Sequence, residues 1–129
     1  MNDFKDGFNN LNNTPDETGN YDPRDIEDNK FMGILAYLSW LVLIPIFAAK
    51  ESRFARFHAN QGLVLAIFEL IIWIGISILC HIPLLGWLFR IIRALISLAF
   101  LVMSVIGIVN VMNGKAKELP FTGRFRILK

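Results

Sequence analysis

The chain has 129 residues, enough for one domain; 54% of them are hydrophobic and 19% charged, and the mean hydropathy is +0.48. A soluble domain of this size has a large surface to cover, yet here the charge is confined to the ends and one connector, so long apolar stretches read as membrane spans. The net charge of +2 and the sequence pI of about 8.9 do not argue for nucleic acid, since a nucleic-acid binder shows a basic face on a soluble fold.

Residues 1–30 hold eight acids (Asp3, Asp6, Asp16, Glu17, Asp22, Asp25, Glu27, Asp28) against Lys5, Arg24 and Lys30. Residues 1–29 are rich in Asn, Asp, Gly and Pro, which cannot bury enough surface to offset their ordering entropy. The expectation is an acidic disordered tail, followed by a helical membrane domain over residues 30–129. No basic stretch precedes a short apolar run here, so no cleavable signal peptide is expected.

Residues 31–49 carry no formal charge and are bracketed by Lys30 and Lys50. As one helix they reach roughly 28 Å, the thickness of the hydrocarbon core. Pro45 is expected to kink or end the last turn. Residues 50–61, KESRFARFHANQ, read as a basic connector whose aromatics and cations suit the headgroup region. Asn60 and Gln61 are expected to serve the first free N–H groups of the next helix.

The second predicted span is residues 62–80, with one formal charge at Glu69. A turn with Pro83 and Gly86 as breakers follows. The third span is residues 87–112, with Arg90 and Arg93 in its first two turns, and residues 84–93 are compatible with either an interfacial or a transmembrane course. Asn113-Gly114 stops this helix. The tail after it is basic: Lys115, Lys117, Arg124, Arg126 and Lys129 stand against Glu118. Phe121, Phe125 and Ile127 alternate with Thr122, Arg124 and Arg126 in a segment suited to lie on the membrane or on the protein. The fold class is therefore all-α, an integral membrane bundle of three transmembrane helices. The positive-inside rule then gives N-outside and C-inside.

Glu69 is the most informative residue, because an ionisable group inside a span costs at least about 2.5 kcal/mol and calls for a partner. Helical spacing aligns it with Trp73 and Ser77. Arg93, Ser97, Phe100 and Ser104 form a similar stripe on the third helix. In a hairpin turning near residue 83, Arg93 lies roughly 8 Å from Glu69 along the axis. Glu69, Ser77, Arg90, Arg93 and Ser97 are thus candidate intramembrane polar contacts. They read as a functional ion pair lining a polar path, as a structural pair, or as a protonated Glu69 bonded to a serine; the structural readings are preferred.

No catalytic constellation is present: there is no HExxH, GxSxG, P-loop or glycine fingerprint. The single Cys80 excludes an intramolecular disulfide and any multi-cysteine metal site. No enzyme activity, catalytic residue, cofactor or metal is expected.

Three stretches carry a resemblance: Phe57-His58-Ala59-Asn60-Gln61-Gly62-Leu63, the turn from His81-Ile82-Pro83 to Gly86-Trp87-Leu88-Phe89, and Leu119-Pro120-Phe121. Over residues 31–125 the chain resembles a widespread family of small bacterial membrane proteins. That family is grouped distantly with the Tic-type import component of the chloroplast inner envelope, and the same stretches look like magnetosome membrane proteins of the MamF type. The resemblance implies an all-helical protein of the bacterial inner membrane, with Phe57, His58, Asn60, Gln61, Gly62, Pro83, Gly86 and Pro120 as family-motif positions. The import components are channel-forming or channel-associated and usually drawn with four spans, against three expected here. The magnetosome relatives affect crystal growth. The expected function is a non-enzymatic membrane subunit acting through contacts with another membrane protein or its own copies in the bilayer, without nucleic acid. The alternative is a transport or translocation component whose homo-oligomer forms a polar path.

Overall fold

The computed structural model describes residues 14–127 together with Gly7 and Asn10. From residue 14 on it forms α1 (Pro23–Asp28), α2 (Lys30–Leu35), α3 (Leu43–Ala48), α4 (Arg53–Leu79) and α5 (Gly86–Met112), with 3-10 turns at Thr18–Asn20 and Ser39–Val42. No strand occurs among the described residues; one isolated bridge joins Asp16 to Lys117.

Helices α4 and α5 form an antiparallel hairpin closed by residues 80–85. Each has 27 residues and a mean hydropathy of 2.5 over its most apolar stretch, of which only 17% and 22% is buried. Both are long and apolar enough to cross a membrane, and the low burial separates them from the core helices of a soluble protein, which hide such faces. At 1.5 Å per residue each extends about 40 Å, more than the roughly 30 Å hydrocarbon core. Helix α5 begins at Gly86 and runs unbroken through Arg90 and Arg93. Residues 86–93 are therefore part of the same helix as the apolar stretch that follows.

The expected straight helix over residues 31–49 is not formed. Helix α2 ends at Leu35, Ser39 takes a positive φ of 58°, and a short helix restarts at Leu43. Pro45 occupies the first turn of α3, where its missing N–H has no intrahelical acceptor to serve. The two arms return to the end from which they start. Helix α2 descends along α5, with Lys30 beside Gly114, Gly33 against Val111 and the Tyr37 ring against Gly107. By Ser52 the chain is back beside Asp25: the Ser52 hydroxyl and the Phe54 N–H donate to the Asp25 carboxylate at 2.6 and 2.9 Å. Asn29 and Lys50 line one cavity, whereas a span over 31–49 would separate its flanking residues by the bilayer. Apolar residues over this returning hairpin remain exposed, Phe31 and Phe47 at 67% and Trp40 at 73%.

Helix α4 starts nine residues earlier than the sequence suggests. Ser52 caps it by accepting from the Ala55 N–H at 3.0 Å. Residues 53–61 are thus helical rather than a connector, and Phe54, Phe57, His58, Asn60 and Gln61 are buried.

Pro15 and Glu17 exchange backbone hydrogen bonds with Glu118 and Ala116, so the N-terminal segment and the C-terminal tail pack at one end of the α4–α5 pair. The N-outside, C-inside expectation counts 31–49 as a crossing, and that segment is broken into two short helices. Residues 14–29 are structured as well. Asp22 accepts from the Arg24 N–H and Pro23 opens α1, a standard helix start, and Ile26 is buried. The expected disordered tail otherwise lies mostly outside the described residues.

Candidate functional site at the capped end

Residues 14–61 and the C-terminal tail build a cap on one end of the hairpin, and its centre is polar. His58 is fully buried, edge-on to Tyr37, Phe54 and Phe57 at ring separations of 5.5, 4.8 and 5.1 Å. Its Nε2 is 2.8 Å from the Lys115 carbonyl, and its Nδ1 is 2.6 Å from the Tyr37 hydroxyl. A carbonyl only accepts, so Nε2 carries the proton and Nδ1 receives the Tyr37 hydrogen bond.

The next polar residues hold the tail. Asn60 donates to the Phe125 carbonyl at 2.9 Å and accepts from the Ile127 N–H at 2.6 Å. Gln61 donates to the Gly123 carbonyl and accepts from the Leu119 N–H, both at 2.9 Å. The tail is not the extended strip that alternation suggests: Gly123 N–H bonds to the Leu119 carbonyl in a turn, Phe121 has a φ of 67°, and Pro120 is buried inside it. Gly62 lets the Ala36 backbone pack against α4, since a Cβ there would stand 1.7 Å from the Ala36 oxygen. The motif over Phe57–Gly62 is therefore a clamp that joins α4, the returning hairpin and the tail. Pro83 lies exposed in the far turn, and Gly86 allows its close return to the Cys80 carbonyl.

The intramembrane candidates lie apart from this clamp. Arg93 donates to the Ser77 hydroxyl at 3.0 Å and its guanidinium stands 5.7 Å from the Trp73 ring centre. Glu69, Arg93 and Ser97 line one small cavity with Trp73 and Phe100, close to the register expected from the turn. No ion pair joins Glu69 to Arg93 among the described residues. Arg90 is exposed near the start of α5. Among the described residues no three His, Cys, Asp or Glu side chains gather as a metal cage.

Sequence reasoning missed Asp25, Tyr37 and the basic group Arg53, Arg56 and Arg126. The last three, with Glu17, Tyr21, Phe57 and Asn60, line a cavity of about 200 Å³ where the N-terminal segment, α4 and the tail meet. Arg53 lies 5.4 Å from the Tyr21 ring centre and Arg126 5.4 Å from that of Phe57. Burial pushes the Tyr21 phenol up, and Glu17 adds to the shift. Arg53 and Arg56, three positions apart and so one turn apart on a helix, were the available signal, but the segment was expected to be a connector.

Two long exposed apolar helices, a short apolar hairpin and a polar clamp define a small helical membrane protein. The chain belongs to the magnetosome magnetite crystal formation family of MamF and MmsF, whose sequence profile matches residues 28–126. It is 34% identical to the magnetosome protein MmsF of Paramagnetospirillum magneticum over 90 residues, covering 69% of this chain and 77% of the relative. It is also 34% identical to MamF of the same organism over 95 residues, 73% and 78% of the two chains. A UPF0132 membrane protein of Methanocaldococcus jannaschii is 30% identical over 98 residues, covering 74% and 66%. No solved structure matches. These relatives support the magnetosome side of the resemblance and lend none to the Tic-type import component.

Proposed function

We propose that the chain is a non-enzymatic subunit of the bacterial cytoplasmic membrane that crosses the bilayer twice, dips a hairpin into it, and works through contacts with another membrane protein or its own copies. The observation that carries this reading is the clamp. The motif's polar side chains are engaged with the chain's own backbone, and both ring nitrogens of His58 are occupied. They hold a shape rather than present a reactive group. The relative from Methanocaldococcus jannaschii is named as a membrane protein, in keeping with a membrane scaffold. A polar path through one copy is not favoured: the cavity beside Glu69 holds only about 10 Å³, about one water.

The distribution of basic residues supports one orientation. Arg24, Lys30, Lys50, Arg53, Arg56, Lys115, Lys117, Arg124 and Arg126 lie at the capped end, against Arg90 and Arg93 near the other. The positive-inside rule then places the cap, and both termini, in the cytoplasm. Fluorescent-protein fusions at either terminus are expected to fluoresce, and alkaline phosphatase inserted in the 81–85 turn to be active. An active phosphatase at the N-terminus beside a fluorescent C-terminus would restore three crossings and sink this topology.

The contact surface is tested by photocrosslinking in cells from positions 69 and 93. Adducts with a second copy or another membrane protein are expected, because Glu69 is only half-buried in its own hairpin and forms no ion pair with Arg93, and an ionisable group within a span calls for a partner. Capture of lipid alone would remove the subunit reading.

A further inference from the structure

The cavity at the junction of the N-terminal segment, α4 and the tail borders the clamp, sharing Phe57 and Asn60 with it, and its chemistry is specific. Three guanidinium groups, Arg53, Arg56 and Arg126, line about 200 Å³ with one carboxylate, Glu17, among them. Arg126 is also held by Glu118 at 3.1 Å and lies 3.8 Å from Glu17. Three guanidiniums against the Glu17 and Glu118 carboxylates leave an excess of one positive charge. The Tyr21 phenol, raised by burial, and the Asn60 amide add neutral polar groups. The two aromatic stacks, Arg53 on Tyr21 and Arg126 on Phe57, restrict both guanidiniums. Restricting them lowers the entropy lost when they close on a ligand. Planar guanidiniums present paired N–H groups that match the oxygens of a phosphate.

The position matters as much as the charge. Residues 31–47 expose Phe31, Trp40 and Phe47 and belong in hydrocarbon, so Arg53 stands where the chain leaves it. Phe125 and Ile127, the neighbours of Arg126, are exposed apolar side chains. A cationic cavity beside exposed apolar groups at this level fits an anion that carries a hydrocarbon chain.

We propose that this cavity is a binding site for a phosphate-bearing anion, with the headgroup of an anionic phospholipid and free phosphate as its two sources. The lipid source rests on the proposal that residues 31–47 dip into the bilayer; the site does not depend on the partner reading.

The test uses the full chain purified in mild detergent, probed with phosphatidylglycerol, phosphatidylcholine and inorganic phosphate, and read by native mass spectrometry and thermal shift. Phosphatidylglycerol is expected to be retained over phosphatidylcholine. Arg53→Gln is expected to weaken retention about 10-fold, the loss of one charge-assisted bond. Lys50→Gln removes a nearby charge outside the cavity and is expected to leave retention unchanged. Unaltered protease protection of the tail in Arg53→Gln confirms that the cap still folds. Stabilisation by inorganic phosphate, lost in Arg53→Gln, with no preference between the lipids, would assign the site to a soluble anion. Equal loss in the two variants would reduce the effect to surface charge and overturn the site, as would no binding of any phosphate probe above background.

Discussion

Gly62→Ala is expected to destabilise the cap by about 3 kcal/mol, although alanine is the better helix former. Helix propensity alone favours the substitution by about 1 kcal/mol. Packing opposes it: a Cβ at this position would lie 1.7 Å from the Ala36 oxygen and 2.6 Å from its carbonyl carbon. Both are backbone atoms, so no rotamer change relieves the overlap and the returning hairpin must move off α4. Overpacking costs about 1–3 kcal/mol where side chains can adjust, and backbone against backbone places this case at the upper end. The displacement also separates Tyr37 from His58. Thermal unfolding in mild detergent is expected to show a midpoint about 10 °C lower, on the scale of domains of this size. Gly75→Ala supplies the control, because nothing lies within 4 Å of a Cβ there and it is expected to be neutral or mildly stabilising. Equal midpoints for the two variants would refute the close approach of α2 and α4.

The contrast between these two glycines shows what the sequence could and could not reveal. Both sit in one apolar helix, and no local pattern separates them; the difference is made by a segment 26 residues earlier in the chain. The same limit applies to the returning hairpin. An uncharged run of 19 residues has the length of a span, and hydropathy does not distinguish a helix that crosses from two short arms that come back. Pro45 gave a hint, but the break lies upstream at Ser39, where tertiary packing sets a left-handed backbone that few residue types favour. By contrast, α5 was legible to within a residue at its start, because a long apolar run between a Pro-Gly turn and Asn113-Gly114 leaves few alternatives. The early start of α4 was also legible, and was hidden by composition. Phe54, Phe57, His58, Gln61 and Leu65 recur at helical spacing, yet the charges between them suggested a loop. The clamp itself was visible only as a resemblance. Asn60 and Gln61 meet residues more than 55 positions away, and nothing local specifies such pairings.

Gln61→Met tests the clamp most directly, because it keeps the side-chain length and removes only the amide. The expected result is release of the tail from residue 119 onward while the helix hairpin remains folded. Leu119 is 2% exposed and its N–H has Gln61 Oε1 as acceptor; without it a buried donor is stranded, at about 1–3 kcal/mol. The Gly123 carbonyl suffers less, since Arg126 also donates to it. A total of about 3 kcal/mol shifts a local opening equilibrium by about 100-fold. Tail detachment is a sub-global event, so the signature is protease sensitivity rather than a large fall in the unfolding midpoint. Trypsin is expected to cut after Arg124 and Arg126 about 100-fold faster in the variant at low protease, the regime in which cleavage follows the open population. Unchanged cleavage would mean that Asn60 and the His58–Lys115 bond hold the tail unaided. A parallel fall in midpoint and protection would mean that tail and hairpin unfold as one unit. Selective release would instead identify the tail as a separately opening element, tied to the membrane helices by the side chains at positions 58, 60 and 61.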